Sequence, residues 1–309
     1  MENTIEKSEV LFLFESKYTI PNGDPFTGEQ RYDEETKKVL VSDVRIKRYV
    51  RDYFIEQKQL GQSDHTVYVY NDKSQVIEGS TGSGSSVRMQ SLWAGNKPKN
   101  KKEVPEAALK LLQSCIDVRL FGGISTEKEA AINITGPVQF ALLNPSLNKS
   151  DLRIHQNTSI FSSSAEKSRG AIGTTTVVPY AINQIHGWIN PYSGKLSGLK
   201  PRDIDELLKA MWNSVNNVNT RSKSNQSSVL LLQIVYKEPT DKLYGTDRLI
   251  SLETEKEEEQ IRSMDDYTFN FDKLDEVVAS DKVKEIRYYT EIDSIKTQLT
   301  GEKFKEMKV

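Results

Sequence analysis

The run VLFLF at residues 10–14, followed by the turn signal PNGDP at 21–25, decides how this chain is read. Five consecutive apolar residues ahead of a Pro/Asn/Gly/Asp cluster predict a strand buried on both faces, and therefore a strand in the middle of a sheet. From Ser42 the period changes. Ile46, Val50, Tyr53 and Phe54 recur at three- and four-residue steps, with Ser42 placed to cap a helix and Asp43 in its first turn. The opposite face of that helix gathers Lys47, Arg48 and Arg51. Further along, residues 132–142 alternate, with Ile132, Ile134, Val138, Phe140 and Leu142 on one side, which predicts a strand with one wet face. Gly136-Pro137 inside it predicts an edge or a bulge. Pro201, followed by Asp203, Asp205 and Glu206, opens a second helix with a stripe of Ile204, Leu207, Leu208, Met211, Trp212 and Val215. VLLLQIVY at 229–236 then makes another buried strand.

Strand, helix, strands, helix, strand is an α+β arrangement, a split β-α-β fold of the ferredoxin-like or RRM-like kind, with an antiparallel sheet and helices on one face. Such a core needs only about 80 to 100 residues. The 309 residues therefore predict a single elaborated domain over 1–309, with insertions at 57–105 and 144–180 and an acidic C-terminal region at 240–309, none with a core of its own.

Composition narrows the classes of function. With 36% hydrophobic and 28% charged residues, the chain has no apolar run of the roughly 18 to 20 residues that a membrane span needs, and MENTIEKSE lacks the basic start of a signal peptide. No membrane is expected as a partner, and the lone Cys115 fits a reducing cytoplasm. His65, His155 and His186 are too dispersed for a zinc or catalytic pattern, so neither metal nor cofactor is expected. The net charge of −2 hides an uneven distribution: residues 247–276 carry eleven acids against four bases. The remainder is basic, as suits a polyanion-binding body whose acidic stretch limits nonspecific contacts, docks on a basic neighbour or is simply a solvated face.

Several segments carry candidate chemistry. In PNGDP, Gly23 permits positive φ and exposes an amide while Asn22 can donate, which suits close approach to a phosphate or sugar as well as an ordinary turn. NTRSKSNQ at 219–226 offers Arg221 and Lys223 among small hydrogen-bonding residues. Lys47, Arg48 and Arg51 read either as phosphate contacts or as a solvated face paired with Asp43 and Asp52. Arg119, in an apolar setting before two glycines, reads as a buried ion-pair partner in preference to a residue pointing at RNA, and His186 as a packed histidine. GSTGSGSS at 79–86 is not followed by Gly-Lys-Ser/Thr and no helix is expected to start there, so it reads as a flexible finger tip rather than a nucleotide loop. Lys97, Lys99, Lys101 and Lys102 form a basic cluster beside it.

PNGDP (21–25), LVSDVRIKRYVRDY (40–53), DVRLFGG (117–123), ITGPVQF (134–140), IHGWIN (185–190) and NTRSKSNQ (219–226) occur in one order over roughly residues 9–238. Together they closely resemble the seven-group RAMP backbone subunit of type I CRISPR surveillance complexes (Cascade), specifically the Csh kind of subtype I-B. One departure is visible: Ile20 stands where the family reads Asn in Asn-Pro-Asn-Gly-Asp-Pro. The resemblance implies a right-hand architecture, with an RRM-like palm, fingers at 57–105 and a thumb hairpin at 144–180. It implies a non-enzymatic subunit that coats CRISPR RNA as a filament in antiviral defence, alongside further copies of itself, other Cascade subunits and target DNA. Asn22, Gly23, Lys47, Arg48, Arg51, Arg221 and Lys223 would then contact RNA, as would Arg153 and Arg169 of the thumb, with Phe161 as a wedge between bases. Two rivals stand beside it. One is a metal-dependent ribonuclease of the RAMP type using Asp24, with Asp33 as second candidate; the other is an RNA-recognition module working alone.

Overall fold

Val10, Phe12 and Phe14 point to one side of the first strand, and Leu11 and Leu13 to the other; all five are buried. The computed structural model, which describes residues 5–70, 84–127, 130–158 and 172–309, places this strand, β1 (Ser8–Thr19), at the centre of a sheet. Around it lie α1 (Asp43–Gln59), β2 (Val138–Phe140), β3 (Ile172–Ile189), α2 (Pro201–Asn217) and β4 (Gln226–Tyr236). β1 pairs antiparallel with both β4 and β3, and β3 with β2. The spatial order β4-β1-β3-β2 is that of the ferredoxin-like and RRM-like fold. Strands Val283–Tyr289 and Phe304–Glu306 extend the sheet beyond β4, while Leu143–Lys149, Lys38–Ser42 and Tyr32–Asp33 extend it beyond β3.

Both helices form as their apolar periods predict. Ser42 caps α1 by accepting from the Arg45 amide at 3.4 Å, and Ile46, Tyr49, Val50, Tyr53 and Phe54 are buried against the sheet. α2 buries its stripe from Ile204 to Val215 on the same side. The expectation of helices on one face only is corrected by the C-terminal region. Leu249, Ile250, Ile261, Phe269, Phe271, Leu274 and Val277 cover the opposite face and pack on Leu11 and Leu13. This acidic region therefore supplies more than half of the cluster on that face.

The insertion after α1 also has a core of its own, contrary to expectation. Helices Ser85–Trp93 and Val104–Ser114 and the strand pair Gly122–Glu127 and Ala130–Thr135 enclose Tyr68, Met89, Trp93, Ala108, Leu112 and Val118. A helix does start inside the Gly/Ser tract, at Ser85; residues 79–83 of that tract lie outside the described residues. The predicted single strand at 132–142 is two strands in two sheets. Ala130–Thr135 pairs with Gly122–Glu127, and β2 pairs with β3. The break falls at Gly136, where a Cβ would lie 2.0 Å from the Phe121 carbonyl carbon, so the two segments cross too closely for any side chain. Leu142, expected on the buried side, is 75% exposed.

Candidate nucleic-acid interface

The loop after β1 is fastened to the N-terminus of α1. The Asn22 side-chain oxygen accepts from the Ser42 amide at 2.7 Å and the Ser42 hydroxyl at 2.8 Å, while the Asn22 amide donates to the Gln30 side chain at 2.9 Å. Asn22 is buried, and its carboxamide nitrogen makes only a 3.3 Å bond to the Gly23 carbonyl. The positive φ expected of Gly23 belongs instead to Gly28, at 74°. A Cβ at Gly23 would meet the Gly28 carbonyl at 3.4 Å, an ordinary contact. Asp24 accepts from the Phe26 and Thr27 amides at 2.9 and 3.4 Å and pairs with Arg31 at 3.0 Å. The Phe26 amide above all holds its carboxyl below the usual range. Asp33 is likewise lowered, first by the Thr36 hydroxyl at 2.7 Å. Both aspartates are thus built into their own turns.

Between this loop, α1 and the helix Ser85–Trp93 lies a cavity of about 1070 Å³, and Arg31, Arg45, Arg48, Arg51 and Arg88 all reach it. The three predicted residues of α1 have different fates. Arg48 is largely exposed and pairs with Asp52 at 2.6 Å. Arg51 is bound at 3.0 Å to Asp117, a fully buried carboxylate that also accepts from the Tyr68 and Val69 amides. It therefore ties the helix to the inserted unit. Lys47 leaves the cavity for Asp43 at 3.0 Å and Gln139 at 3.3 Å.

Arg31, Arg45 and Arg88 do not stand out in the sequence, yet each has a buried Nε with no hydrogen-bond partner. A guanidinium donor withdrawn from water without an acceptor is costly unless a ligand supplies one. Arg45 lies with its guanidinium carbon 3.8 Å from the Tyr49 ring centroid. Lys223, from the 219–226 loop, donates to the Ile20 carbonyl at 3.2 Å and to Ser222 at 3.1 Å. Burial first, then the Arg45 charge, pushes its ammonium down to about 8. Among the described residues neither Arg45 nor Lys223 has a carboxylate partner. Two adjacent cations without a counter-charge make a site that an anion relieves. Exposed Val44, Ile124, Leu142 and Leu143 edge the same cavity, so its walls offer apolar surface between the charges.

The other candidates sit apart. Arg153 is exposed on the strand Arg153–Thr158, which pairs with the first part of β3. Arg221 lines a smaller cavity with Tyr18 and His155. Phe161 and Arg169 lie outside the described residues. Arg119 is the buried ion-pair partner its setting predicts, bidentate to Asp203 at 2.8 Å. His186 is packed and bonded to Glu9 at 2.8 Å. Among the described residues no cluster of three or more His, Cys, Asp or Glu side chains is placed to hold a metal ion. An RNA-recognition module stacks bases on an open sheet face, but here both faces of the central strands are covered. The cationic cavity lies beyond that sheet core, at the start of α1.

The chain as a whole resembles known proteins in sequence and in fold. The family model described as CRISPR-associated protein Cas7 matches residues 6–272. A CRISPR-associated protein Cas7 of Haloferax volcanii is 26% identical over 296 residues, covering 89% of this chain and 83% of its own. Among solved structures, a chain of a CRISPR RNA-guided surveillance complex superposes with a TM-score of 0.53 at 13% identity, over 93% of this chain and 90% of that one. A chain of a second such complex, in a pre-nicking state, gives 0.50 at 14% identity, over 93% of each. With the family model spanning most of its length and the fold agreeing, this chain belongs to the Cas7 family of CRISPR-associated proteins.

Proposed function

We propose that this chain is a non-catalytic backbone subunit of a CRISPR surveillance complex of the I-B subtype. Several copies would follow one another along the guide RNA, with other Cascade subunits at the ends, and would present its bases to target DNA. The unit around Met89, Trp93 and Leu112 would be the fingers, and the hairpin formed by Arg153–Thr158 and β3 the base of the thumb. The observation that carries the reading is the cavity at the start of α1, which Arg31, Arg45 and Arg88 reach, each with a buried, unpartnered Nε atom; Lys223, outside its walls, is close enough to Arg45 to feel its charge. Guanidinium groups there suit the oxygens of a sugar-phosphate backbone, and contacts of that kind are blind to sequence. Specificity would then rest with base pairing between guide and target.

The ribonuclease reading gains nothing from the loop aspartate. The Asp24 carboxylate is engaged by the Phe26 and Thr27 amides and by Arg31, which supports a structural role. The test is to purify the chain with its genomic neighbours. RNA of discrete length should come with it, and Mg²⁺ with complementary RNA should yield no regularly spaced cuts. A purified complex without nucleic acid would refute the proposal.

A further inference from the structure

β1 ends in a strained residue. Its register against β3 runs Lys17↔Tyr180 and then Thr19↔Val178, passing over Tyr18. The residue opposite is Pro179, which has no N–H for the ladder. Tyr18 takes φ 48°, a left-handed conformation that costs an aromatic residue free energy and persists only where its surroundings impose it. Here they do. The Lys17 amide donates to the Asn225 carbonyl at 3.0 Å, the Asn225 side chain returns a bond to the Lys17 carbonyl at 2.7 Å, and the Ile20 amide donates to the Ser222 carbonyl at 2.8 Å. Strain at this point turns outward a ring that would ordinarily be packed: Tyr18 is 59% exposed.

The ring faces a cavity of about 360 Å³ whose walls include His155, Thr175 and Arg221. Small-molecule pockets begin at about 300 Å³, so the space suits one nucleobase with its sugar. Among the described residues Arg221 has no hydrogen bond or ion pair, so its charge is available.

We propose that this cavity is a base-stacking subsite, in which one unpaired base of bound RNA lies on the Tyr18 ring while an adjoining phosphate meets Arg221. The inference rests on the RNA-binding reading above and adds to it a place for a base. Stacking on an aromatic ring tolerates any sequence, because every base has a π-face.

The experiment uses the full chain and a set of equal-length single-stranded RNAs, each with 2-aminopurine at one position. Wild type should quench the fluorescence most at one position. Tyr18→Phe should retain that quench. Tyr18→Leu should lose it and weaken binding by roughly five- to a hundredfold, the range expected for one stacked base. Tyr18→Gly should lose it too, yet melt at a higher temperature, since glycine accepts φ 48° without strain. A purely structural tyrosine would not move stability and binding in opposite directions. Unchanged quench and affinity in both Tyr18→Leu and Tyr18→Gly would overturn this inference alone. Impaired self-association with RNA affinity intact would assign the cavity to a protein segment and overturn it as well. Wild type that binds none of the RNAs would overturn the reading beneath it, and this one with it.

Discussion

Arg119 and Arg45 are both helical arginines largely withdrawn from water, and the fold treats them in opposite ways. Arg119 is 6% exposed and fully engaged: its guanidinium grips Asp203 through two 2.8 Å bonds and donates to the Gln113 and Ser114 carbonyls at 3.1 and 2.9 Å. Arg45 has a ring beneath it, a buried Nε without an acceptor, and Lys223 rather than a carboxylate as its charged neighbour. Burial alone therefore does not separate the paired from the unpaired cations in this molecule. What separates them is whether the chain supplies the counter-charge. Where it does, the arginine holds the fold together. Where it withholds one, the balance is left to a ligand.

The largest effect is expected of Arg119→Ala. Removing one partner of a buried pair strands the other, at a cost of about 3 to 5 kcal/mol. Asp203 would also lose its hold on the start of α2, where its carboxylate accepts from the Lys200 amide at 2.9 Å. Thermal denaturation should show the destabilisation directly, while the fraction still folded should bind RNA as wild type does. If Arg119→Ala instead lowered RNA affinity without changing stability, the division between the two arginines would collapse.

Arg45→Gln should do the reverse. A hydrogen bond to a charged group contributes about 1.5 to 3 kcal/mol, or roughly ten- to a hundredfold in affinity for single-stranded RNA. The slope of log affinity against log salt should become shallower by about 0.7 for each phosphate that is no longer neutralised. Stability should stay level or rise, because an uncompensated charge leaves the site. Arg88→Gln is expected to weaken RNA binding likewise, but to cost some stability because the Arg88 guanidinium also donates to the Val67 carbonyl at 2.6 Å. An unchanged salt slope in both variants would remove the cavity as the phosphate site.

Much of the scaffold that positions these residues is legible in the sequence. The Ser42 cap, the stripes of α1 and α2 and the doubly buried β1 and β4 follow from local period, and local period survives folding wherever one face of an element is covered. The second covering layer is hidden for a physical reason. Leu249 and Ile261 stand among acids with no helix or strand period; Tyr267, Phe269 and Phe271 do alternate, but over one short strand, and only packing in the cluster that holds Leu11 and Leu13 makes all of them core. The site is legible in half. Arg48 and Arg51 reach the cavity as their helix face predicts, but Lys47 turns aside to Asp43. Arg45 stands in the same string, about 60° around the helix from Arg48 at 100° per residue, with nothing local to mark it. Arg88 lies in a helix that the Gly/Ser tract conceals, and Arg31 in a hairpin. Which cations stay unpaired depends on where carboxylates such as Asp117 and Asp203 arrive from distant parts of the chain, and no local pattern records that.

Lys223 carries a pH dependence of its own. Its ammonium titrates near 8 in the free protein, against 10.5 for an ordinary lysine. Below 8 both folded and unfolded chains hold the proton. Between 8 and 10.5 the unfolded chain binds more protons than the folded one, so the contribution of Lys223 to stability rises with pH across that window. RNA binding should move the other way. A phosphate favours the charged form, so affinity should fall by up to about tenfold from pH 7 to 9, the limit set by one coupled proton. Titrations at constant ionic strength would show it, and Lys223→Gln should flatten the profile. A wild-type profile already flat would place Lys223 away from the bound RNA.

The smallest effect is expected where opposite charges already meet near the surface. Glu258 and Glu259, from the most acidic part of the chain, pair with Lys38 at 3.3 Å and Lys37 at 3.2 Å, and the Glu258 carboxylate also accepts from the Lys149 amide at 2.8 Å. Lys37 is 45% exposed and Glu258 38%, against 20% for Glu259 and 22% for Lys38, so solvent reaches one member of each pair and screens their attraction. The acidic segment thus meets a basic surface within its own chain. Glu258→Gln with Glu259→Gln should lower the melting temperature slightly and leave the assembly size seen by light scattering unchanged. Lys37 would keep Asp151 at 3.1 Å and Lys38 the Leu147 carbonyl, so the loss of two acids should raise RNA affinity only modestly, at low salt and not at high salt. A large fall in stability would mean that these pairs behave like Arg119 and Asp203 despite their exposure. Loss of assembly with normal stability would show instead that the segment acts between copies, and the contrast between paired and unpaired cations would then have to be redrawn across an interface rather than within one chain.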